Sequence, residues 1–314
     1  MLNTRSDYLV ILVATYNRLD LLKRTLNSIT AGTHCSHEII VIDGGSTDGT
    51  IEYLESRPGI TSVFQGKLLG TARCYNQVWR RVESKYTTWL SDDTEIVGDS
   101  LDLAVNILEA HPEIGMVGLK MKDTRGPRKI RPYLGGLSEY GILACNHGVL
   151  SMDLLRSVGY FNEDYRSYTI DSDLTASVLC AGKSVALTKH ISVLHHREWA
   201  EREDSEEKVL CDMDGIDNAK IYHEKFKFLE VSRTFPVRVR GWLIYHLTRL
   251  LFLRATPDSK RLGLNRRDWY NLAGGRFIRL TDPLENMRRP YYLVQRIPRD
   301  LLRSGANPCR HLVD

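Results

Sequence analysis

The chain has 314 residues, 42% hydrophobic and 26% charged, with a formal net charge of +4. That composition excludes a disordered tail, a collagen-like fibre and a small disulfide-stapled module, and it is enough to bury one generous core or two modest ones. No stretch reaches the ~20 apolar residues of a membrane-crossing helix.

Residues 8–14 (YLVILVA) read as a strand buried on both faces. Asn17 is placed to cap a helix running to Thr30, because Leu19, Leu22, Leu26 and Ile29 recur at helical spacing. Residues 38–42 (EIIVI) form a second strand, followed by the turn-rich GGSTDGT and a short helix over 51–56. A third strand at 61–64, a helix at 70–84, a fourth strand at 86–90, a helix at 99–110 and a strand at 114–119 complete the alternation. Strand alternating with helix predicts an α/β fold with a largely parallel sheet.

Residues 120–200 are less regular: a Gly/Pro-rich stretch (RGPRKIRPYLGG), helices at 151–157 and 171–181, and one closing strand at 184–194. An acidic segment at 198–207 leads into an Arg-rich tail with an amphipathic helix at 238–254. The expected division is a domain over 1–200, with halves of about 1–115 and 116–200, and a basic, mainly helical region over 201–314.

From Arg233 onward there are 17 Lys and Arg against 6 Asp and Glu, a net +11, so the preceding residues carry −7. That split predicts either a surface for an anionic partner or pairing of the tail's arginines with the acidic N-terminal part. The apolar and basic residues of 238–254 fit an interfacial helix on a membrane, and equally a core-packing helix or a homo-oligomer contact. Nucleic-acid binding is disfavoured, since no recognition motif accompanies the charge. The six cysteines are scattered without a C-x-x-C pair, as for free thiols in a reducing compartment. With no secretory-signal pattern over the first residues, the expected location is the cytoplasm, or the inner face of the membrane as a peripheral protein.

Ligands in open α/β sheets bind beyond the carboxyl ends of the strands. Here those ends carry Thr15-Tyr16-Asn17-Arg18, Asp43-Gly44-Gly45-Ser46 and Ser91-Asp92-Asp93-Thr94. Adjacent carboxylates such as Asp92 and Asp93 repel unless a proton or cation intervenes, which suits Mg²⁺ or Mn²⁺; a turn with one solvated carboxylate is the plainer alternative. Asp43 could accept from a base N–H or a ribose hydroxyl, or simply close an Asx-turn. Asp48 reads as structural, starting the next helix.

VATYNR, EIIVIDGGSTDGT, LGTARCYNQ and WLSDDTEI, in this order, resemble the motifs of the GT-A glycosyltransferases of family 2. The later GYFNEDYRSYTIDSDLTASVLCAGKSVALTKHISVLHHR looks like that family's acceptor half, so the resemblance covers about residues 8–197. It implies a GT-A, Rossmann-like fold and an inverting, divalent-metal-dependent transferase in polysaccharide, glycolipid or glycoconjugate assembly. The donor would be a UDP-, dTDP- or GDP-linked sugar, and the acceptor a glycan or lipid-linked glycan.

By the same resemblance, Thr15, Tyr16 and Asn17, with Asp43, hold the nucleoside, while Arg18, Arg73 and Asp92 lie at the donor. Asp93 ligates Mn²⁺ or Mg²⁺ together with His195, or alternatively His196, and Asp171 is the catalytic base, with Asp173 as competitor. Asp171 also reads as a plain helix N-cap. The sequence departs from the family pattern at Gly44, Cys74, Ser91 and Ile170. A non-catalytic nucleotide-sugar or glycan-binding module is the alternative reading. A sugar-phosphate nucleotidyltransferase fits less well, because VATYNRLD has no glycine to cradle a triphosphate.

Overall fold

The computed structural model describes residues 8–125, 144–165, 168–196, 217–229, 291–295 and 297–313, with 138, 140, 142, 239, 242 and 243. The acidic segment at 198–207 and residues 128–133 lie outside these, as does the 238–254 helix apart from exposed Val239, Trp242 and Leu243.

Among the described residues eleven strands form two sheets. In the main one the order is β11-β9-β6-β8-β4-β1-β2-β3. At its centre β1 (Leu9–Thr15) pairs in parallel with β2 (His37–Asp43) and β4 (Tyr86–Ser91), and β3 (Thr61–Phe64) extends β2. The sheet, expected to be largely parallel, is so on the β1 side and mixed beyond β4. β8 (Gly148–Ser151) runs antiparallel between β4 and β6 (Ile114–Gly118), β9 (Ser184–Thr188) follows β6 in parallel, and β11 (Tyr291–Gln295) closes the edge antiparallel to β9.

The period-2 alternation of strand side chains splits the core in two. Leu9, Ile11, Val13, Ile39 and Val41 face α1 (Leu19–Gly32) and α4 (Ser100–Ala110), through Leu22, Leu26, Ile29, Leu101 and Val105. Val10, Leu12, Ile40, Ile42 and Trp89 face α3 (Thr71–Trp79) and α6 (Ile170–Cys180), through Tyr75, Trp79, Leu174 and Val178. Shorter helices are α2 (Thr50–Glu55) and α5 (Met152–Ser157), the latter capped by Ser151 Oγ accepting from Leu154 N–H. Helical residues 217–226, named α7, bury Tyr222 and Phe226 in the second core, and a last helix, α8 (Arg299–Leu302), adds Leu302.

Three expectations need correction. Asn17 does not cap α1: its backbone is left-handed (φ 50°) and its side-chain oxygen accepts from Thr47 N–H at 2.7 Å, while Asp48 Oδ2 takes the Leu19 N–H at 3.0 Å. The helix expected to reach residue 84 ends at Trp79, where i→i−3 bonds from Arg81 and Val82 tighten the last turn. The single strand expected over 184–194 is two. After Thr188 the chain turns, Ser192 Oγ donating to Thr188 Oγ1 at 2.9 Å, and re-forms as β10 (Val193–His195) in the second sheet.

That second sheet, of order β5-β10-β7, sets β10 between β5 (Thr94–Ile96) and β7 (Met121–Asp123). It brings one row into register: Thr94 opposite His195, and His195 opposite Asp123.

Candidate functional site

The site is built where β1 and β4 end. Thr15, the last residue of β1, donates its hydroxyl to Asp92 Oδ2 at 2.9 Å. Arg18, just before α1, places Nη1 3.2 Å from Asp92 Oδ1 and 3.7 Å from Asp93 Oδ2. Ser91 Oγ donates to Asp93 Oδ1 at 2.5 Å, and His195 Nε2 stands 3.2 Å from Asp93 Oδ2. Thr25, inside α1, forks its hydroxyl between the carbonyls of Asp92 and Thr94, at 2.8 and 2.5 Å, and so fixes the turn carrying the two carboxylates.

Asp92 and Asp93 are both buried, yet their surroundings push them apart. Burial raises Asp92 to about 6, against the opposing charge of Arg18. Burial pushes Asp93 the same way, but the hydrogen bond and charge of His195, the Ser91 hydroxyl and Arg18 outweigh it and hold that carboxyl well below the usual range. At neutral pH the pair therefore offers anionic oxygens to a cation.

His195 stands between two carboxylates, because its Nδ1 lies 3.1 Å from Asp123 Oδ1. A neutral imidazole has one N–H, so one ring nitrogen must turn a lone pair on a carboxylate unless a proton or cation lies between. A carboxylate oxygen of Asp93 and the Nε2 of His195 thus stand side by side. Among the described residues no three His, Cys, Asp or Glu side chains surround one point as a metal cage would. Mg²⁺ and Mn²⁺ need no such cage, since one or two protein ligands suffice when phosphate oxygens fill the shell. The residues present fit such an ion.

Asp43, fully buried and paired in register with Thr15, accepts from Gly45 N–H at 2.8 Å and Ser46 N–H at 3.1 Å, so its carboxylate closes an Asx-turn in this state. Gly45 has φ +95°, and a Cβ there would meet the Gly66 backbone at 2.8 Å, so only glycine fits. At Gly44 a Cβ would meet Leu68 Cδ2 at 2.8 Å. Tyr16 is exposed beside Gly44.

Arg73 and Asp171 stand outside the hydrogen-bonded cluster of Thr15, Arg18, Asp92, Asp93 and His195, as Tyr16, Asn17 and Asp43 also do. Arg73, exposed on α3, has its Nε 3.7 Å from Glu163 Oε2, and Glu163 also takes Arg80 Nη2 at 2.8 Å and Asn76 Nδ2 at 2.9 Å. Asp171 heads α6, where its carbonyl accepts the Thr175 hydroxyl at 2.7 Å; Thr175 Oγ1 in turn accepts from Cys145 N–H at 3.1 Å. Because β8 runs antiparallel to β4, the segment leading into it, Cys145 to His147, lies at β4's carboxyl end, and the first turns of α6 touch that segment through Thr175. Burial raises the Asp171 carboxyl to about 6. His147, in the same segment, donates Nδ1–H to Trp89 O at 3.0 Å; burial, with the charge of His195, lowers it to about 4 and keeps it neutral.

His196, the alternative to His195, is engaged elsewhere: Nε2 lies 2.9 Å from Glu95 Oε2 and Nδ1 2.9 Å from Thr124 Oγ1. The sequence motifs did not single out Thr25 or Asp123. The only local signal for Asp123 is a carboxylate closing the apolar run MVGLKMKD.

Residues 10–163 match the family model described as Glycosyl transferase family 2. An uncharacterized glycosyltransferase of Rickettsia typhi is 27% identical over 106 residues, 34% of this chain and 33% of that protein. A Bacillus subtilis glycosyltransferase, TuaG, named for teichuronic acid biosynthesis, is 27% identical over 96 residues, 29% of this chain and 38% of its own length. The chain thus spans about a third of the length of these relatives. Among solved structures, residues 1–349 of S. aureus TarS in complex with UDP-GlcNAc superpose with a TM-score of 0.54 at 17% identity, covering 84% of this chain and 79% of that one. A longer S. aureus TarS structure gives 0.51 at 15% identity, over 87% and 56%. At such identities the likeness shows the fold, which is GT-A.

Proposed function

Because residues 10–163 belong to glycosyl transferase family 2, we propose that this protein moves a sugar from a nucleoside-diphosphate sugar to a hydroxyl of a glycan or lipid-linked glycan, inverting the anomeric centre with the help of Mn²⁺ or Mg²⁺. The observation that carries this reading is the convergence of Thr15, Arg18, Asp92, Asp93 and His195 on one hydrogen-bonded cluster at the carboxyl ends of the strands. UDP and UDP-GlcNAc, bound by S. aureus TarS, are the donor chemistry to try first.

Asp93 and His195 would hold the metal ion, which when bound supplies Lewis-acid neutralisation of the departing diphosphate. Arg18, one-third exposed beside both aspartates, adds fixed positive charge next to that position. Tyr16 offers an exposed ring to the base, and the buried Asp43 shapes the glycine-bearing turn beside it, where base and ribose would lie. Asp171 takes the proton of the acceptor hydroxyl as its oxygen bonds to the anomeric carbon and the bond to the diphosphate oxygen breaks, a single displacement that inverts the centre. Positioned proton transfer of this kind contributes about 10²–10⁴ in rate.

Thermal-shift measurements against UDP-, dTDP- and GDP-linked sugars, with and without Mn²⁺, test the reading. The expected result is stabilisation by one nucleotide series that depends on the metal. No shift with any nucleotide, or an equal shift in EDTA, would overturn the metal-dependent donor site.

A further inference from the structure

The geometry points to Asp123 as the positioning residue of the metal side of the site, holding His195 with its proton on Nδ1 and Nε2 turned to the ion. This rests on the metal-dependent reading above and adds a residue to it. Asp123 is the last residue of β7 and the parallel register partner of His195, so backbone pairing sets the two side chains next to each other. Thr124 N–H, donating to His195 O at 2.9 Å, extends that pairing by one residue. The side chains meet at 3.1 Å, Nδ1 to Oδ1, with Asp123 1% exposed.

The placement of the proton follows from the two environments. A lone pair of Nδ1 turned on the Asp123 carboxylate would set two buried acceptors against each other at 3.1 Å. On the other side, Nε2 faces Asp93 at a strand end beside the Arg18 guanidinium, whose side chain is 33% exposed. The proton therefore belongs between Nδ1 and Asp123, and the Nε2 lone pair to a metal shared with Asp93. A carboxylate behind a histidine ligand fixes its tautomer and ring plane and raises its basicity. The small β5-β10-β7 sheet is then a scaffold: three short strands that line up the turn after Asp93, His195 and Asp123.

The test is Mn²⁺ affinity in the presence of UDP, read from the free-ion electron paramagnetic resonance signal. Asp123→Asn, whose amide can donate as well as accept, is expected to weaken Mn²⁺ binding by about 10–100-fold. UDP binding in EDTA should stay unchanged. In a His195→Ala background the same substitution should cause no further loss, since Asp123 acts through that ring. An unchanged Mn²⁺ affinity, or a loss that adds fully to that of His195→Ala, would overturn the role of Asp123 and leave the donor site standing. Absence of Mn²⁺ binding by the unaltered protein with UDP would overturn the metal reading itself, and Asp123 with it. Should Asp123→Asn fail to fold, ¹⁵N-histidine spectra of the unaltered protein with Mg²⁺ and UDP decide the matter. A proton on Nδ1 of His195 supports the assignment, and a proton on Nε2 overturns it.

Discussion

Asp171 and Asp173 lie two residues apart at the head of α6, and their surroundings differ in a way that favours Asp171 over Asp173 as the proposed base. Asp173 is 1% exposed and takes Lys225 Nζ at 2.6 Å and the Tyr165 hydroxyl at 2.9 Å; that network ties α7 to α6 and occupies its oxygens. Asp171 is half-buried, and its carboxyl is raised to about 6 by burial, with only backbone hydrogen bonds opposing. A base must be ionised to accept a proton. Transfer should therefore fall about tenfold per pH unit below pH 6 and level off above it. Asp171→Asn should lower turnover at least about 100-fold and abolish that acid limb, with nucleotide affinity retained. Steady-state rates from pH 5 to 8 for both proteins check this, and near-normal turnover of the variant would remove the assignment.

Among the elements, the joint between α1 and α2 depends on one side chain. Asp48 Oδ2 accepts the Leu19 N–H that opens α1, while Oδ1 accepts the Thr50 N–H at 3.2 Å and hydroxyl at 2.6 Å at the start of α2. Burial pushes this carboxyl up, but those hydrogen bonds outweigh it and hold it below the usual range. Its contribution to stability is therefore present at neutral pH and lost as pH falls below the ordinary aspartate range. Asp48→Ala should cost about 1–2 kcal/mol, more than Asn17→Ala, by urea unfolding at pH 7. The sequence made the long elements legible, because runs such as LVILVAT and the Leu22–Leu26–Ile29 stripe carry their periodicity within themselves. It concealed β5, β7 and β10, whose three residues each are too short to show a period and exist only as partners of one another. The site divides along the same line. Thr15, Asp92 and Asp93 follow long strands and stand out, whereas Asp123 gains meaning only from a pairing across 72 positions of sequence.

For the molecule as a whole, the end of the chain belongs to the sheet that carries the site. Tyr291 opens β11 on the exposed edge of β9 and packs in the α1–α4 core, while Ile297, Leu302 and Cys309 pack in the α3–α6 core on the other face. Asn307 Nδ2 donates to Cys180 O at 3.0 Å and to Leu302 O at 2.7 Å, pinning the terminal turns against the end of α6. One short segment thus covers an edge and touches both cores, so its loss should be felt throughout the fold. Full burial of side chains the size of Tyr291, Ile297 and Leu302 contributes about 1.5–3 kcal/mol each. A chain shortened to end at residue 290 should lose roughly 10 °C in thermal midpoint and associate through the bared β9 edge on size exclusion. Leu302→Ala, which leaves β11 in place, should cost about 2–5 kcal/mol while the protein keeps its elution volume. A shortened chain with the midpoint and elution of the full one would show that the sheet is complete without β11.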